Sequence, residues 1–305
     1  MSRPPSFVPP VGVRAYRLTT TRGEFAVLDA APGSSKQTRG TVLLLPGFTG
    51  SKEDFIALHG PLADAGYRTV AVDGRGQYET PGPRDDEAPY AQGELARDVL
   101  AQAAAVGTRV HLVGHSLGGL IARAAVLLDA TPFASLTLMS SGPAQISVSQ
   151  QQRVKLLRDA LAVMSMADVW DAIQAMEPPE ETDTGEPGHD GTGELDAGLD
   201  AGLDAGLDDR ADLRRRWLAT SPAQLIATGR QLCTEPDRVA ELAAVPLGMH
   251  VVSGARDDTW PVPLLDDMAA RLKAHRTVVR DAEHSPNTDQ PRATARALAA
   301  FWDEL

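Results

Sequence analysis

The clearest chemistry in this 305-residue sequence lies in VHLVGHSLGG, residues Val110–Gly119. A run of strand-forming residues ends at Gly114-His115-Ser116-Leu117-Gly118, and a helix-forming run follows. A serine at the tip of a strand-turn-helix junction has its hydroxyl thrust out above the sheet, and the flanking glycines let backbone crowd around it. The helix that starts just after Ser116 points its N-terminal N–H groups to the same place, where developing negative charge is stabilised. The pattern predicts a nucleophilic Ser116 and, in the N–H of Leu117, one of the two backbone donors an oxyanion hole needs.

A serine hydroxyl is a weak nucleophile near neutral pH and needs a base, usually a histidine held by a carboxylate. In a sheet of this kind both belong on loops after later strands. Seven histidines are present. His59 falls in a helical run, His111 and His250 fall inside strands, and His275 precedes one. His189 lies in an acidic tract, and His115, on the serine turn itself, reads as a packing residue. His284, in Arg280-Asp281-Ala282-Glu283-His284-Ser285-Pro286, directly follows a late strand and is the expected base. The carboxylate is expected after the preceding strand, in Val251-Val252-Ser253-Gly254-Ala255-Arg256-Asp257-Asp258; spacing alone does not separate Asp257 from Asp258.

These residues require a scaffold, and the hydrophobic pattern supplies one. Two strand-like runs, Arg14–Thr20 and Glu24–Ala30, flank a turn. Thr41–Leu45 is a short apolar run of the kind buried on both faces of a sheet. Then helix and strand alternate: helix Glu53–Ala65, strand Arg68–Val72, helix Gly93–Ala105, strand Arg109–Val113, helix Leu117–Asp129 and strand Ala134–Met139. The alternation resumes with strand Gly248–Ser253, helix Pro263–Ala274, strand Arg276–Arg280 and helix Pro291–Trp302. Such a pattern predicts an α/β fold with a mostly parallel sheet and helices on both faces.

The hundred residues between Gly142 and Val245 contain no strand-like run, which predicts a helical insertion over 143–245 between two halves of the core, 1–142 and 246–305. Val154, Leu157, Leu161, Met164, Trp170 and Ile173 recur at roughly helical spacing. Ser221-Pro222-Ala223-Gln224 is a helix start, with serine as N-cap and proline at the first position. Between them lies the acidic tract, 177–209, where Asp-Ala-Gly-Leu repeats three times over Asp196–Leu207. Its composition predicts a disordered connector, so deleting 194–208 is expected to leave the fold and activity nearly intact. A calcium-binding repeat is the sharper alternative, but the four-residue period departs from the nine-residue calcium pattern.

The formal net charge is −12, which argues against a nucleic-acid partner. Twelve of the 41 acidic residues fall in 177–209, which has no Lys or Arg; outside it the signs balance, so the acidity is local. A lone cysteine, Cys233, excludes an intramolecular disulfide and a Cys-rich zinc site. Met1–Tyr16 has no signal-peptide core, and no apolar run reaches 18 residues, so a cytoplasmic protein with no membrane span is expected.

In order along the chain stand Pro46-Gly47-Phe48 after a buried strand, Asp73-Gly74-Arg75-Gly76, Gly114–Gly118, Gly254-x-x-Asp257 with Pro261, and His284-Ser-Pro-Asn. Over 41–142 and 246–305 the sequence resembles the α/β-hydrolase superfamily, in its small branch with a helical cap between two core strands. The resemblance implies the order Ser116, Asp257, His284 and favours Asp257 over Asp258. It also implies the N–H of Phe48 as the second oxyanion donor. Two stretches depart from the common pattern: Pro46-Gly47 stands where His-Gly is frequent, and Arg75-Gly76-Gln77-Tyr78 where Arg-Gly-His-Gly is frequent.

The expected activity is therefore serine hydrolysis of a carboxylic ester of a small or medium hydrophobic substrate, with no metal and no cofactor. The same triad serves thioester, lactone and carbon–carbon bond hydrolysis, perhydrolysis and acyl transfer. A silent ligand-binding module is the alternative outside catalysis. Met164, Met166 and Trp170, from the insertion, and Trp260, near Asp257, are the expected pocket residues.

Overall fold

The computed structural model describes residues 3–34, 37–176 and 210–305. The acidic tract 177–209, with its Asp-Ala-Gly-Leu repeats, lies outside the described residues.

Among the described residues, eight strands form one sheet: β1 Val13–Thr20, β2 Gly23–Ala30, β3 Gly40–Leu45, β4 Tyr67–Val72, β5 Val110–His115, β6 Phe133–Met139, β7 Gly248–Gly254 and β8 His275–Val279. Their spatial order is β1-β2-β4-β3-β5-β6-β7-β8. The hairpin β1-β2 and the pair β2-β4 are antiparallel, and every pair from β4 to β8 is parallel. The mostly parallel sheet expected from the alternation is present.

The helices are α1 Ile56–Asp64, α2 Gln92–Val106, α3 Leu117–Leu128, α4 Val148–Leu161, α5 Met166–Met176, α6 over 210–219, α7 Pro222–Thr234, α8 Val239–Ala243, α9 Val262–Leu272, α10 Pro286–Asp289 and α11 Pro291–Asp303. Side chains alternate across a strand, so a strand covered on both faces needs apolar residues throughout. In β3, Leu43 and Leu45 face a core shared with α2, α3 and α9, while Val42 and Leu44 face one shared with α1 and α11. Helices α4 to α7 lie between β6 and β7 in the chain. Leu161, Met166, Val169, Trp170, Trp217 and Leu225 form a separate apolar cluster among them.

One expected helix, Glu53–Ala65, is split. Its start is a 3-10 turn, Lys52–Phe55, and the α-helix begins at Ile56. Lys52, Glu53 and Asp54 are all buried there and pair inward. Lys52 Nζ lies 2.7 Å from Glu53, 2.9 Å from Asp73 and 2.7 Å from Glu79. Asp54 meets the guanidinium of Arg216 in α6 at 3.1 Å. Burial opposes the charge on Lys52, but Asp73 and Glu53 outweigh it and hold the ammonium above the usual lysine pKa. This knot fastens the chain after β3 to the chain after β4 and to α6.

Candidate active site

The carboxyl ends of β5, β7 and β8 carry three side chains to one edge of the sheet. Ser116 sits between β5 and α3 with φ 54° and ψ −119°, a conformation that costs a non-glycine residue about 1–3 kcal/mol and needs support from its surroundings. The support is visible. The Ser116 N–H donates to the Met139 carbonyl at 2.9 Å, and the Gly119 N–H donates to the Ser116 carbonyl at 2.9 Å. A Cβ on Gly114 would lie 2.3 Å from the Gly118 carbonyl oxygen, and a Cβ on Gly118 2.4 Å from that of Leu45. The glycines of the motif are therefore set by close backbone approach.

His284 Nε2 lies 3.0 Å from Ser116 Oγ, and His284 Nδ1 lies 3.0 and 3.1 Å from the two carboxylate oxygens of Asp257. A carboxylate only accepts, so Nδ1 carries the proton and the Nε2 lone pair faces the serine hydroxyl. Asp257 has a fully buried side chain. Its Oδ1 also accepts from the N–H groups of Thr259 (2.9 Å) and Trp260 (3.1 Å), which fixes the carboxylate. Asp258, one residue on, accepts instead from Gln150 Nε2 at 2.7 Å. The structure thus brings Ser116, His284 and Asp257 into one hydrogen-bonded chain and leaves Asp258 out of it.

Leu117 is the first residue of α3, so its N–H belongs to the group of initial helix donors without an intrahelical acceptor. Gly47 and Phe48 follow β3 and flank Ser116: a Cβ on Gly47 would lie 3.3 Å from Ser116 Cβ. Phe48 and Ser116 share a cleft of about 340 Å³, near the small end of the roughly 300–1,000 Å³ typical of ligand sites. Ile146, Val154 and Leu232 give it an apolar side, and Gln150 and Arg153 of α4 a polar one.

The expected pocket residues lie elsewhere. Helix α4 presents Val154 to the cleft through its N-terminal half, so Met164, beyond its C-terminal end, does not reach the cleft and is 38% exposed. Met166 and Trp170 are buried against Trp217 and Leu225, with Trp217 Nε1 donating to the Met166 carbonyl at 2.6 Å. Trp260 is fully buried rather than at the mouth. Its Nε1 donates to the Ala144 carbonyl at 2.8 Å, and its ring stacks 6.3 Å from that of His284. It fastens the Asp257 loop to the chain after β6.

Two neighbours escape a motif search. His115 Nε2 donates to the His284 carbonyl at 2.9 Å and so anchors the loop that carries the expected base. Burial, reinforced by nearby His284, pushes the His115 pKa down to about 4, so it is neutral near pH 7. Gln77 is buried and donates through Nε2 to the Gly47 carbonyl at 2.9 Å. The only trace of it in the sequence is the departure at Arg75-Gly76-Gln77-Tyr78. Among the described residues, no group of three or more His, Cys, Asp or Glu side chains is arranged to hold a metal ion. No described helix is long and apolar enough to cross a membrane.

Comparison with known proteins agrees with this architecture. The Alpha/beta hydrolase family model matches residues 42–297. A protein of Variovorax paradoxus (strain S110), provisionally named carbamate hydrolase RutD, is 41% identical over 101 residues, a match covering 33% of this chain and 37% of that protein. The chain therefore aligns with little more than a third of the length of that relative. Among solved structures, a thermophilic esterase from Thermogutta terrifontis superposes with a TM-score of 0.69 at 19% identity, covering 95% of this chain and 98% of that one. The esterase EaEST from Exiguobacterium antarcticum superposes with a TM-score of 0.70 at 17% identity, covering 95% and 100%. At those identities the likeness speaks for the fold, while the family match spans most of the chain: the protein is an enzyme of the alpha/beta hydrolase family.

Proposed function

We propose that the protein is a serine hydrolase that cleaves a carboxylic ester of a small substrate through an acyl-enzyme. Ser116 Oγ attacks the carbonyl carbon as its proton passes to His284 Nε2, and the carbonyl π-electrons move onto oxygen. The N–H groups of Phe48 and Leu117 receive that oxyanion. Collapse breaks the bond to the alcohol oxygen, which takes the proton from His284. Water then attacks the acyl-serine, giving its proton to His284, and Ser116 leaves with that proton restored. Asp257 keeps the imidazole in the tautomer this cycle needs and stabilises its cationic form. The helices within 143–245 act as a cap whose α4 walls the cleft and sets the size of substrate.

The observation that carries this reading is the unbroken chain from the Asp257 carboxylate through His284 to Ser116 Oγ, each link near 3.0 Å. A fluorophosphonate probe should label Ser116 in the folded protein, and Ser116→Ala should abolish labelling. On a panel of p-nitrophenyl esters the same variant should lose about 10⁴- to 10⁶-fold in kcat. The panel should include a thioester, a β-diketone and, in view of the name of the Variovorax relative, a carbamate. Turnover of the β-diketone alone would overturn the ester reading, and a wild-type protein that resists the probe would overturn the nucleophile.

A further inference from the structure

The peptide between Gly47 and Phe48 has two faces to satisfy. It is trans, as no cis bond occurs among the described residues. In a trans peptide the carbonyl and the N–H point to opposite edges of one rigid plane. Whatever fixes the direction of the Gly47 carbonyl therefore fixes the direction of the Phe48 N–H.

Gln77 supplies that fixing. Its Nε2 donates to the Gly47 carbonyl at 2.9 Å, and its Oε1 accepts from the Gly74 N–H at 2.9 Å. Because a backbone N–H occupies one end of the amide and a carbonyl the other, only one orientation of the side chain satisfies both. Gln77 is 5% exposed, so water competes little. The turn is built around it: the Gln77 N–H donates to the Gly74 carbonyl at 2.9 Å, and the Gln77 carbonyl accepts from the Thr80 N–H at 2.9 Å. A Cβ on Gly74 would come within 2.7 Å of Gln77 Oε1, so the glycine there makes room for the side chain. The Gly50 N–H joins Gln77 on the Gly47 carbonyl at 3.2 Å.

We infer that Gln77 is a positioning residue for the oxyanion hole: it holds the Gly47–Phe48 peptide so that the Phe48 N–H faces the reaction centre at Ser116. This rests on the serine hydrolase reading above. A hydrogen bond to the carbonyl also polarises the peptide and strengthens its N–H as a donor. The effect is felt when charge develops on the substrate oxygen, so it belongs to kcat rather than to substrate affinity.

The test compares wild type with Gln77→Met, which keeps length but donates nothing, and Gln77→Glu, which keeps an acceptor for Gly74 but sets a second oxygen against the Gly47 carbonyl. On a p-nitrophenyl ester, both should lower kcat about 10- to 100-fold, part of the 10²–10³-fold attached to losing an oxyanion donor outright. KM should change less than about threefold. The affinity of an alkylboronic acid, whose tetrahedral adduct places an oxygen in the hole, should fall by the same factor as kcat/KM. The activity of Gln77→Glu relative to wild type should rise as pH falls, because a protonated glutamate donates again.

Unchanged kcat and boronate affinity beside a lowered melting temperature would show that Gln77 only supports the fold and would overturn the inference. So would a rise in KM alone. If Gln77→Met does not fold, the pH dependence of Gln77→Glu decides the matter, and a flat ratio counts against the role. Gln102→Met removes a buried glutamine from α2, away from the loop after β3, and should affect stability without this kcat pattern. Failure of the parent reading shows itself separately, as a wild type that neither turns over esters nor takes up the fluorophosphonate, and the inference then falls with it.

Discussion

Asp257 and Asp258 are chemically identical neighbours with opposite surroundings, and that contrast makes a sharp test. Asp257 is turned inward onto His284 Nδ1 and two backbone N–H groups. Asp258 faces the cleft and holds Gln150. Asp257→Asn keeps the shape but presents a donor to Nδ1, so the imidazole adopts the wrong tautomer, and kcat should fall about 10⁴-fold. Asp258→Asn should change kcat less than about tenfold, with any effect in KM; equal losses in the two variants would count against the assignment. Spacing alone left this pair unresolved, because residues 257 and 258 differ by one step of a loop and a loop has no periodicity to say which side chain points in; only the family resemblance favoured Asp257. Ser116 and His284 were legible because each stands beside a strand end that hydrophobic pattern alone locates. Gln77 was illegible for the converse reason. Its role is two contacts with backbone atoms, one of them thirty residues away in sequence, and backbone atoms leave no mark on residue type.

At the scale of elements, the site depends on three strand ends being pressed together with little slack. Gly254 closes β7 beside the His284 loop: a Cβ there would lie 2.0 Å from the Glu283 carbonyl oxygen and 2.4 Å from that of Ala282. Neither obstacle is a flexible side chain, so the backbone carrying His284 must give way. The Ala255 N–H to the Val279 carbonyl (3.0 Å) and the Arg256 N–H to the Ala282 carbonyl (3.2 Å) resist that movement. Gly254→Ala should therefore lower stability by about 1–3 kcal/mol, as overpacking does. It should lower kcat about 10- to 100-fold, since a displacement of about 1 Å at a reacting group has that effect. Gly93→Ala is the control. It lies in the first turn of α2, a Cβ there meets only the end of the Arg97 side chain at 3.6 Å, and alanine is the better helix former by up to about 1 kcal/mol. Its melting temperature should hold or rise, with kcat unchanged. Most elements follow from the sequence with boundaries shifted by a residue or two, because apolar runs such as Thr41–Leu45 record two-sided burial. The short helix α10 just after His284 is announced only by Ser285-Pro286, a start with no apolar stripe behind it. The 3-10 turn at Lys52–Phe55 was hidden because its inward residues are charged, and pattern reading places charge outside.

For the molecule as a whole, the balance of protons rather than of fixed charge should govern its response to acid. Among the described residues, four imidazoles are buried in or beside the sheet. Burial pushes His59, His111 and His115 down to about 4 and His250 to about 3. Their outer partners are few: Thr69 for His59, Ser135 for His111, the His284 carbonyl for His115 and Thr277 for His250. In an unfolded chain a histidine takes a proton near pH 6.5. Between about pH 6.5 and 4 the unfolded chain therefore binds more protons at these four sites than the folded protein does. Stability rises with pH wherever the unfolded state holds the excess, so it should fall as pH drops through that window and be level above about pH 7. Asp73 works the other way, since burial raises its pKa, but it is one group against four. Carboxylates held low act in a different window: Asp29 and Asp237 sit below their usual pKa, Asp29 against burial and through Arg68, Asp237 through Arg271, and they lose their contribution only below about pH 4. Thermal melts from pH 8 to pH 4 should show the decline. A double variant, His59→Leu with His250→Leu, should show a shallower slope whatever its absolute stability, because two of the four excess protons are gone. A slope equal to that of wild type would mean that these imidazoles are protonated in the folded protein, and would locate the acid sensitivity in the carboxylates instead.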